Sequence, residues 1–118
     1  MLSKGKAVKV SIYVTDGATL RGEPVNLSIL EFLFKSGVAG ATALKGVAGF
    51  GSDHHLHSSA SIFLADNMPL KIEFIETLER AQELLPRLEE MCGTGMIEMQ
   101  ETTIVKVAGS PPNTLKNR

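Results

Sequence analysis

The order of hydrophobic patterns along the chain predicts an α+β fold of the ferredoxin-like kind. This is a β-α-β-β-α-β arrangement in which two helices cover one face of a four-stranded antiparallel sheet. Apolar residues alternate along several segments, as they do in strands with one buried face. Two other segments have the three- and four-residue spacing of amphipathic helices, and a glycine follows each. The 118 residues, 43% hydrophobic and 21% charged, are typical of a single globular domain.

The first half of the chain is predicted to form a strand, a helix and a second strand. Apolar residues alternate over 8–14, and a polar loop follows over 16–23. Pro24 then opens a helix at a position where its missing N–H costs nothing. The buried face of this helix is predicted to be Val25, Ile29, Phe32 and Leu33, widened by Leu27, Leu30 and Phe34. Gly37 ends the helix in a left-handed cap, and the second strand is predicted over 41–48.

The second half is predicted to contain more strands and another helix. Alternation predicts strands over 59–65 and 70–74, and Thr77 is a good N-cap for the helix that follows. The face of that helix is predicted to be Leu78, Ala81, Leu85, Leu88 and Cys92. Pro86 removes one hydrogen bond inside it and should bend it.

The chain is predicted to close with a strand and a tail. Gly93-Thr94-Gly95 stops the helix, and the last strand is predicted over 96–107. Residues 1–108 are expected to form the domain. The polar, proline-containing residues 109–118 are expected to be a disordered tail.

Composition excludes several classes of protein. No apolar run approaches the roughly 18 residues that span a bilayer, and we expect a cytoplasmic protein without a signal peptide. The single cysteine, Cys92, rules out an internal disulfide and is expected to be a buried small hydrophobe. Net charge is −6 over 66–101 and +5 over the remainder. The positive excess outside 66–101 is too small for a nucleic-acid binder. It better suits a small anionic ligand, or an ordinary solvated surface.

The face of the sheet that the helices leave uncovered is expected to carry large apolar groups. Tyr13, Phe63, Ile75 and Ile104 are out of phase with the core residues of their strands. A contiguous apolar patch usually marks an interface, whereas scattered apolar residues are normal on any surface. The patch predicts a homo-oligomer that closes through this face of the sheet.

The segment 36–51 contains five of the chain's eleven glycines within a pattern that also alternates like a strand. Glycine weakens a strand and usually marks a bulge or a close approach of the backbone. Two interpretations stay open: a turn that cradles an anion with backbone N–H groups, or a twisted, bulged hairpin arm without a ligand. No complete phosphate-binding or dinucleotide-binding motif is present.

Two kinds of chemistry are considered for the loop that follows. His54, His55 and His57 could bind a divalent metal, because His55 and His57 point to the same side of an extended arm. Solvated loop histidines are the other interpretation. For catalysis, neither an oriented base nor an oxyanion pocket is indicated near Ser58 or Glu73. We therefore expect a protein that is not an enzyme.

Several short motifs together resemble a known family. They are Gly22-x-Pro24, the runs 37–42 and 46–51, Leu56-His57, and Met68 through Glu73. With these motifs, residues 7–107 resemble the PII-like proteins, and in particular a branch of small bacterial and archaeal members of uncharacterised function. The resemblance implies a homotrimer in which the open sheet faces turn toward the threefold axis. It also implies that AMP, ADP or ATP binds in the clefts between subunits, with no cofactor obligatory.

The resemblance also implies roles for particular residues. A glycine and a threonine similar to Gly40 and Thr42 lie near the adenine in signalling PII proteins, and a turn similar to Gly49-Phe50-Gly51 begins their partner-binding loop. Backbone N–H groups of the glycines, and the side chains of nearby cations, would hold the phosphates. The expected nucleotide-binding residues are Gly40, Thr42, Lys45, Gly46, Gly49, Phe50, Gly51, His57 and Arg21, with Lys106 as a further candidate cation.

Two alternatives to a nucleotide-binding regulator are considered. One is a metal-binding trimer similar to the divalent-cation-tolerance proteins, which would use His54, His55 and His57. The other is a scaffolding trimer whose glycines serve twist and packing alone. The resemblance also suggests a membrane transporter or channel as the partner of the regulator.

Overall fold

The computed structural model describes residues 2–51 and 68–109, and the backbone of 57–58. The elements in chain order are β1 (Gly5–Thr15), β2 (Thr19–Leu20), β3 (Glu23–Pro24), α1 (Val25–Lys35), β4 (Ala41–Lys45), β5 (Ala48–Gly49), β6 (His57–Ser58), β7 (Pro69–Glu76), α2 (Leu78–Cys92) and β8 (Met96–Ile104). The main sheet has four antiparallel strands in the order β4-β7-β1-β8. The predicted ferredoxin-like fold is confirmed.

The core lies between this sheet and the two helices. Alternate residues of the central strands point into it, and Val10, Ile12 and Ile72 are fully buried there. Burying side chains of this size stabilises the fold by about 1.5–3 kcal/mol each. The helices contribute Ile29, Leu33 and Leu88, which are also fully buried. The packed core holds one face of the sheet against the helices. The other face and the ends of the sheet are therefore the places where a binding site can form.

Helix α1 begins after Pro24, as the sequence predicts, and ends with Gly37 at a φ of +79°. Its predicted face was too wide. Leu27 and Phe34 are 57% and 83% exposed, because the sheet contacts a narrower stripe centred on the buried Ile29 and Leu33.

Helix α2 begins at the predicted cap, where the Thr77 side chain accepts a hydrogen bond from the Arg80 N–H at 3.2 Å. Its buried face is rotated relative to the prediction. The helix buries Ala81, Leu84, Leu88 and Met91, whereas Leu78 is 43% exposed. Cys92 is partly buried rather than buried. The helix carries leucine at both 84 and 85, so spacing alone fits either face.

The loops differ from the prediction in three places. The polar loop over 16–23 contains a small hairpin, because β2 pairs with β3 around Arg21-Gly22. The second strand ends at Lys45 instead of continuing to 48, and β5 then pairs with β6. Strand β8 ends at Ile104 rather than 107. The predicted strand over 59–65 and the tail beyond Gly109 lie outside the described residues.

Loss of the cap at Thr77 should destabilise the protein measurably. We expect Thr77→Ala to lower the free energy of unfolding by about 1 kcal/mol, because the Arg80 N–H loses its acceptor. Urea denaturation measures the change. Thr77→Ser keeps the hydroxyl and is the matched control. An equal loss in both variants would contradict this role for the side chain.

Candidate functional site

The larger of two cavities lies at the end of the sheet where β1 and β4 finish and β7 begins. Its volume is about 790 Å³, within the 300–1,000 Å³ range of small-molecule sites. The structure brings to its lining five of the residues predicted from sequence: Lys45, Gly46, Gly49, Phe50 and Gly51. These residues follow one another along the chain because β4 ends beside the cavity and the glycine-rich run continues around it.

Two of these glycines pack closely against Pro69. A Cβ added at Gly46 would lie 2.8 Å from the Pro69 Cγ, and one added at Gly49 would lie 3.1 Å from the same atom. The Gly46 N–H also donates to the Pro69 carbonyl at 2.7 Å. This amide is already satisfied within the fold, so a ligand would have to share it. The hairpin-packing interpretation therefore accounts for Gly46, and Gly49 lies in tight contact with the same proline ring.

Gly51 differs from its two neighbours. Among the described residues, no atom lies within 4 Å of the position that its Cβ would occupy, and its φ is outside the left-handed region. Neither contact nor backbone conformation in the described part of the chain explains glycine here. Close approach of a ligand is one physical reason for glycine at such a position.

The charges around the larger cavity are arranged in ion pairs. The Lys45 Nζ lies 2.8 Å from the Asp16 Oδ2, and the Lys71 Nζ lies 2.8 Å from the Glu73 Oε1. The hydrogen bond to Lys71 holds the pKa of Glu73 below its ordinary value, and the same bond raises the pKa of Lys71. Cys92 also lines the cavity, and burial raises the pKa of its thiol.

The smaller cavity, of about 340 Å³, lies at the other end of β4. It contains Gly40 and Thr42, together with Lys9 and Lys106 and the apolar side chain of Ile75. Along β4, Thr42 of the smaller cavity and Leu44 of the larger are about 7 Å apart, at roughly 3.3 Å per residue. The predicted nucleotide-binding residues are thus divided between two sites on one protomer.

Two predicted residues stand apart from both groups. Arg21 forms the tip of the β2–β3 hairpin at a φ of +53°, and it is not among the described residues that line either cavity. The backbone of His57 pairs with Gly49, next to the larger cavity. His54 and His55 lie outside the described residues. Within the described ranges, no group of three His, Cys, Asp or Glu side chains could hold a metal ion.

The open face of the sheet carries three of the four predicted apolar residues. Tyr13, Ile75 and Ile104 fall on it by register, and Phe63 lies outside the described residues. The sequence analysis missed Leu44 and Met96, which lie in one row with Tyr13 and are 49% and 58% exposed. The Tyr13 hydroxyl donates to the Glu98 Oε1 at 2.7 Å, and this bond raises the pKa of Tyr13.

The sequence analysis also missed residues that complete the larger cavity. Pro69 lines it, and Asp16 binds the lysine at its edge. Both are distant from the glycine-rich run along the chain, and the pairing of β1, β7 and β4 brings them to it. Across residues 2–51 and 68–109, no helix has the length and apolar character needed to cross a membrane.

The sequence of this chain matches a family model and several known proteins. Residues 7–104 match the family model DUF190, described as "Uncharacterized ACR, COG1993". The UPF0166 protein MJ1524 of Methanocaldococcus jannaschii is 31% identical over 103 residues, covering 86% of this chain and 94% of that protein. A UPF0166 protein of Aquifex aeolicus is 36% identical over 58 residues, covering 49% of this chain and 60% of its own.

Solved structures share the fold at low sequence identity. CPII from Thiomonas intermedia K12, a nitrogen regulatory PII-like protein bound to ADP, AMP and bicarbonate, superposes with a TM-score of 0.66 and 16% identity. The match covers 90% of this chain and 94% of CPII. CPII bound to ADP and bicarbonate gives a TM-score of 0.62 and 17% identity, covering 90% and 95%. The chain therefore shares the fold of these PII-like proteins, and it belongs to the DUF190 (UPF0166) family.

Proposed function

We propose that this protein is a PII-like regulator that binds an adenine nucleotide in clefts between the subunits of a homotrimer. The short glycine-rich loop that begins at Gly49 acts as the switch that a partner reads. The observation that carries this proposal is the larger cavity, which collects five of the predicted nucleotide-binding residues from one continuous run. CPII, which has the same fold, holds ADP and AMP.

The division of the predicted residues between two cavities supports a site that spans subunits. Gly40 and Thr42 lie at one end of β4, and Lys45 through Gly51 lie at the other. Because β4 is an edge strand of the sheet, both cavities open where a neighbouring copy can reach them. One copy would then contribute the slot for the base, and the next copy would contribute groups for the phosphates.

The open sheet face supports the trimer. Met96 is 58% exposed on it next to Tyr13, and Leu44 is 49% exposed in the same row, on the far side of Lys71. Exposed apolar groups such as these are stabilised by burial against a partner surface. The same face carries the ion pair of Lys71 with Glu73, so its assembly would be partly polar. A membrane transporter or channel as the regulated partner stays a prediction from the resemblance.

Calorimetry with AMP, ADP and ATP tests the proposed function directly. We expect at least one of them to bind the full-length protein, and Gly51→Ala to weaken that binding about tenfold or more without lowering Tm. The added methyl group meets no described atom of the same protomer, but it would stand between the backbone and a phosphate.

Gly109→Ala is the matched control, because no described atom lies within 4 Å of its added methyl group and Gly109 is not among the described residues that line either cavity. Gly46→Ala is unsuitable as a probe, since its methyl group would collide with Pro69 and disturb the fold. The proposal fails if none of the three nucleotides binds. The role of Gly51 fails if its variant binds as the wild type does.

A further inference from the structure

Asp16 is held in a defined position at the edge of the larger cavity. Its N–H donates to the Met68 carbonyl at 2.8 Å, and the Ala18 N–H closes a tight turn onto the Thr15 carbonyl at 3.1 Å. Gly17 provides the positive φ of +95° that this turn contains. The backbone of Asp16 is therefore anchored on both sides, and its carboxylate is directed by the turn.

Lys45 is anchored by the start of β7, on the side of that strand opposite to Asp16. Residue 45 pairs with Leu70 in the sheet, and the next residue, Gly46, donates its N–H to the Pro69 carbonyl. The start of β7 thus holds Asp16 through Met68 and holds Lys45 through Leu70. This arrangement explains why the Lys45 Nζ and the Asp16 Oδ2 meet at 2.8 Å across the strand end.

The positive charge of the cavity is neutralised by ion pairs within the protomer. Lys45 and Lys71 are the two basic side chains among the described residues of its lining. Asp16 pairs with the first, and Glu73 pairs with the second. An anion entering this cavity must share Lys45 with the Asp16 carboxylate, and each further negative charge on the anion is repelled by that carboxylate.

We propose that Asp16 is a specificity-determining residue, which competes with the ligand phosphates for Lys45 and biases the cavity toward nucleotides with fewer phosphates. This inference rests on the proposed nucleotide site and adds the property that selects among AMP, ADP and ATP. It assigns to Asp16 a role in ligand discrimination rather than in stability. An ion pair as exposed as this one contributes little to the stability of a fold.

The test is calorimetric titration of AMP and ATP into the full-length protein and its Asp16→Asn variant. Asparagine keeps the size of the side chain and the backbone bond to Met68, and it removes the charge. We expect the ratio of the ATP to the AMP association constant to rise about tenfold, because the repulsion removed is larger for the more highly charged ligand. A purely structural ion pair would change Tm without changing this ratio.

Glu31→Gln is the matched control. Glu31 forms an equivalent pair with Lys35, with a separation of 2.7 Å, on the exposed surface of α1. This variant changes the net charge by the same amount, and we expect the ratio to stay at the wild-type value.

The outcomes separate this inference from the proposed function. If both nucleotides bind and the ratio stays within twofold of wild type in Asp16→Asn, the role of Asp16 is overturned and the nucleotide site stands. If the ratio rises equally in Glu31→Gln, the effect is one of net charge and the role of Asp16 is again overturned. If neither AMP nor ATP binds to any variant, the inference about Asp16 falls, and the proposed function falls with it if ADP does not bind either.

Discussion

Replacing Gly95 with alanine should destabilise the protein by about 3 kcal/mol, at the upper end of the usual cost of overpacking. A Cβ at this position would overlap the backbone carbonyl of Tyr13, and it would lie 3.1 Å from both the Cys92 carbonyl and the Val14 Cγ1. A flexible side chain could move aside. Tyr13 cannot, because it belongs to the central strand β1 and pairs with Lys71 on one side and Met96 on the other.

Thermal and urea unfolding measure this effect. We expect Tm to fall by roughly 10 °C or more for a domain of this size. Gly109→Ala is the control, since no described atom lies within 4 Å of its added methyl group. If the free energy of unfolding of Gly95→Ala lies within 1 kcal/mol of the wild-type value, the close packing of α2 and β8 against β1 at this point is contradicted.

The fold could be predicted because its signals are local. Alternation in 8–14 identifies the central strand, and Thr77 identifies the start of α2 through a bond to a residue three positions away. The buried face of α2 could not be predicted in the same way. Leu84 and Leu85 are adjacent, and which of them enters the core depends on the direction from which the sheet approaches the helix.

The candidate site could be predicted in part, for the same physical reason. The glycine-rich run is visible along the chain, and it does form the rim of a cavity. Gly46 and Gly49 both lie against Pro69. This proline is at least twenty positions away along the chain, and only strand pairing brings it near. Asp16 was missed likewise, because its contact with Lys45 is made across the end of β7.

The second large effect is expected from Ile75→Glu, which should convert the proposed trimer into single chains of 12.7 kDa. Ile75 lies on the open face of the sheet, directly opposite Lys9 on the neighbouring strand β1. In an isolated protomer, a glutamate there is solvated and can pair with this lysine, so the fold itself should tolerate it. In a trimer closed through this face, three carboxylates would be buried together, and each would cost several kcal/mol.

Sedimentation or light scattering at working concentration measures the mass, and circular dichroism checks that the protomer stays folded. Phe34→Glu is the control with the same kind of change, because Phe34 is 83% exposed on α1 at the other side of the core. Its mass should equal that of the wild type. If the assembly dissociates in Phe34→Glu and not in Ile75→Glu, the interface is formed by the helices instead of the sheet. A wild-type protein that is already a single chain would remove the shared clefts, and with them the reason for dividing the predicted ligand residues between two ends of β4.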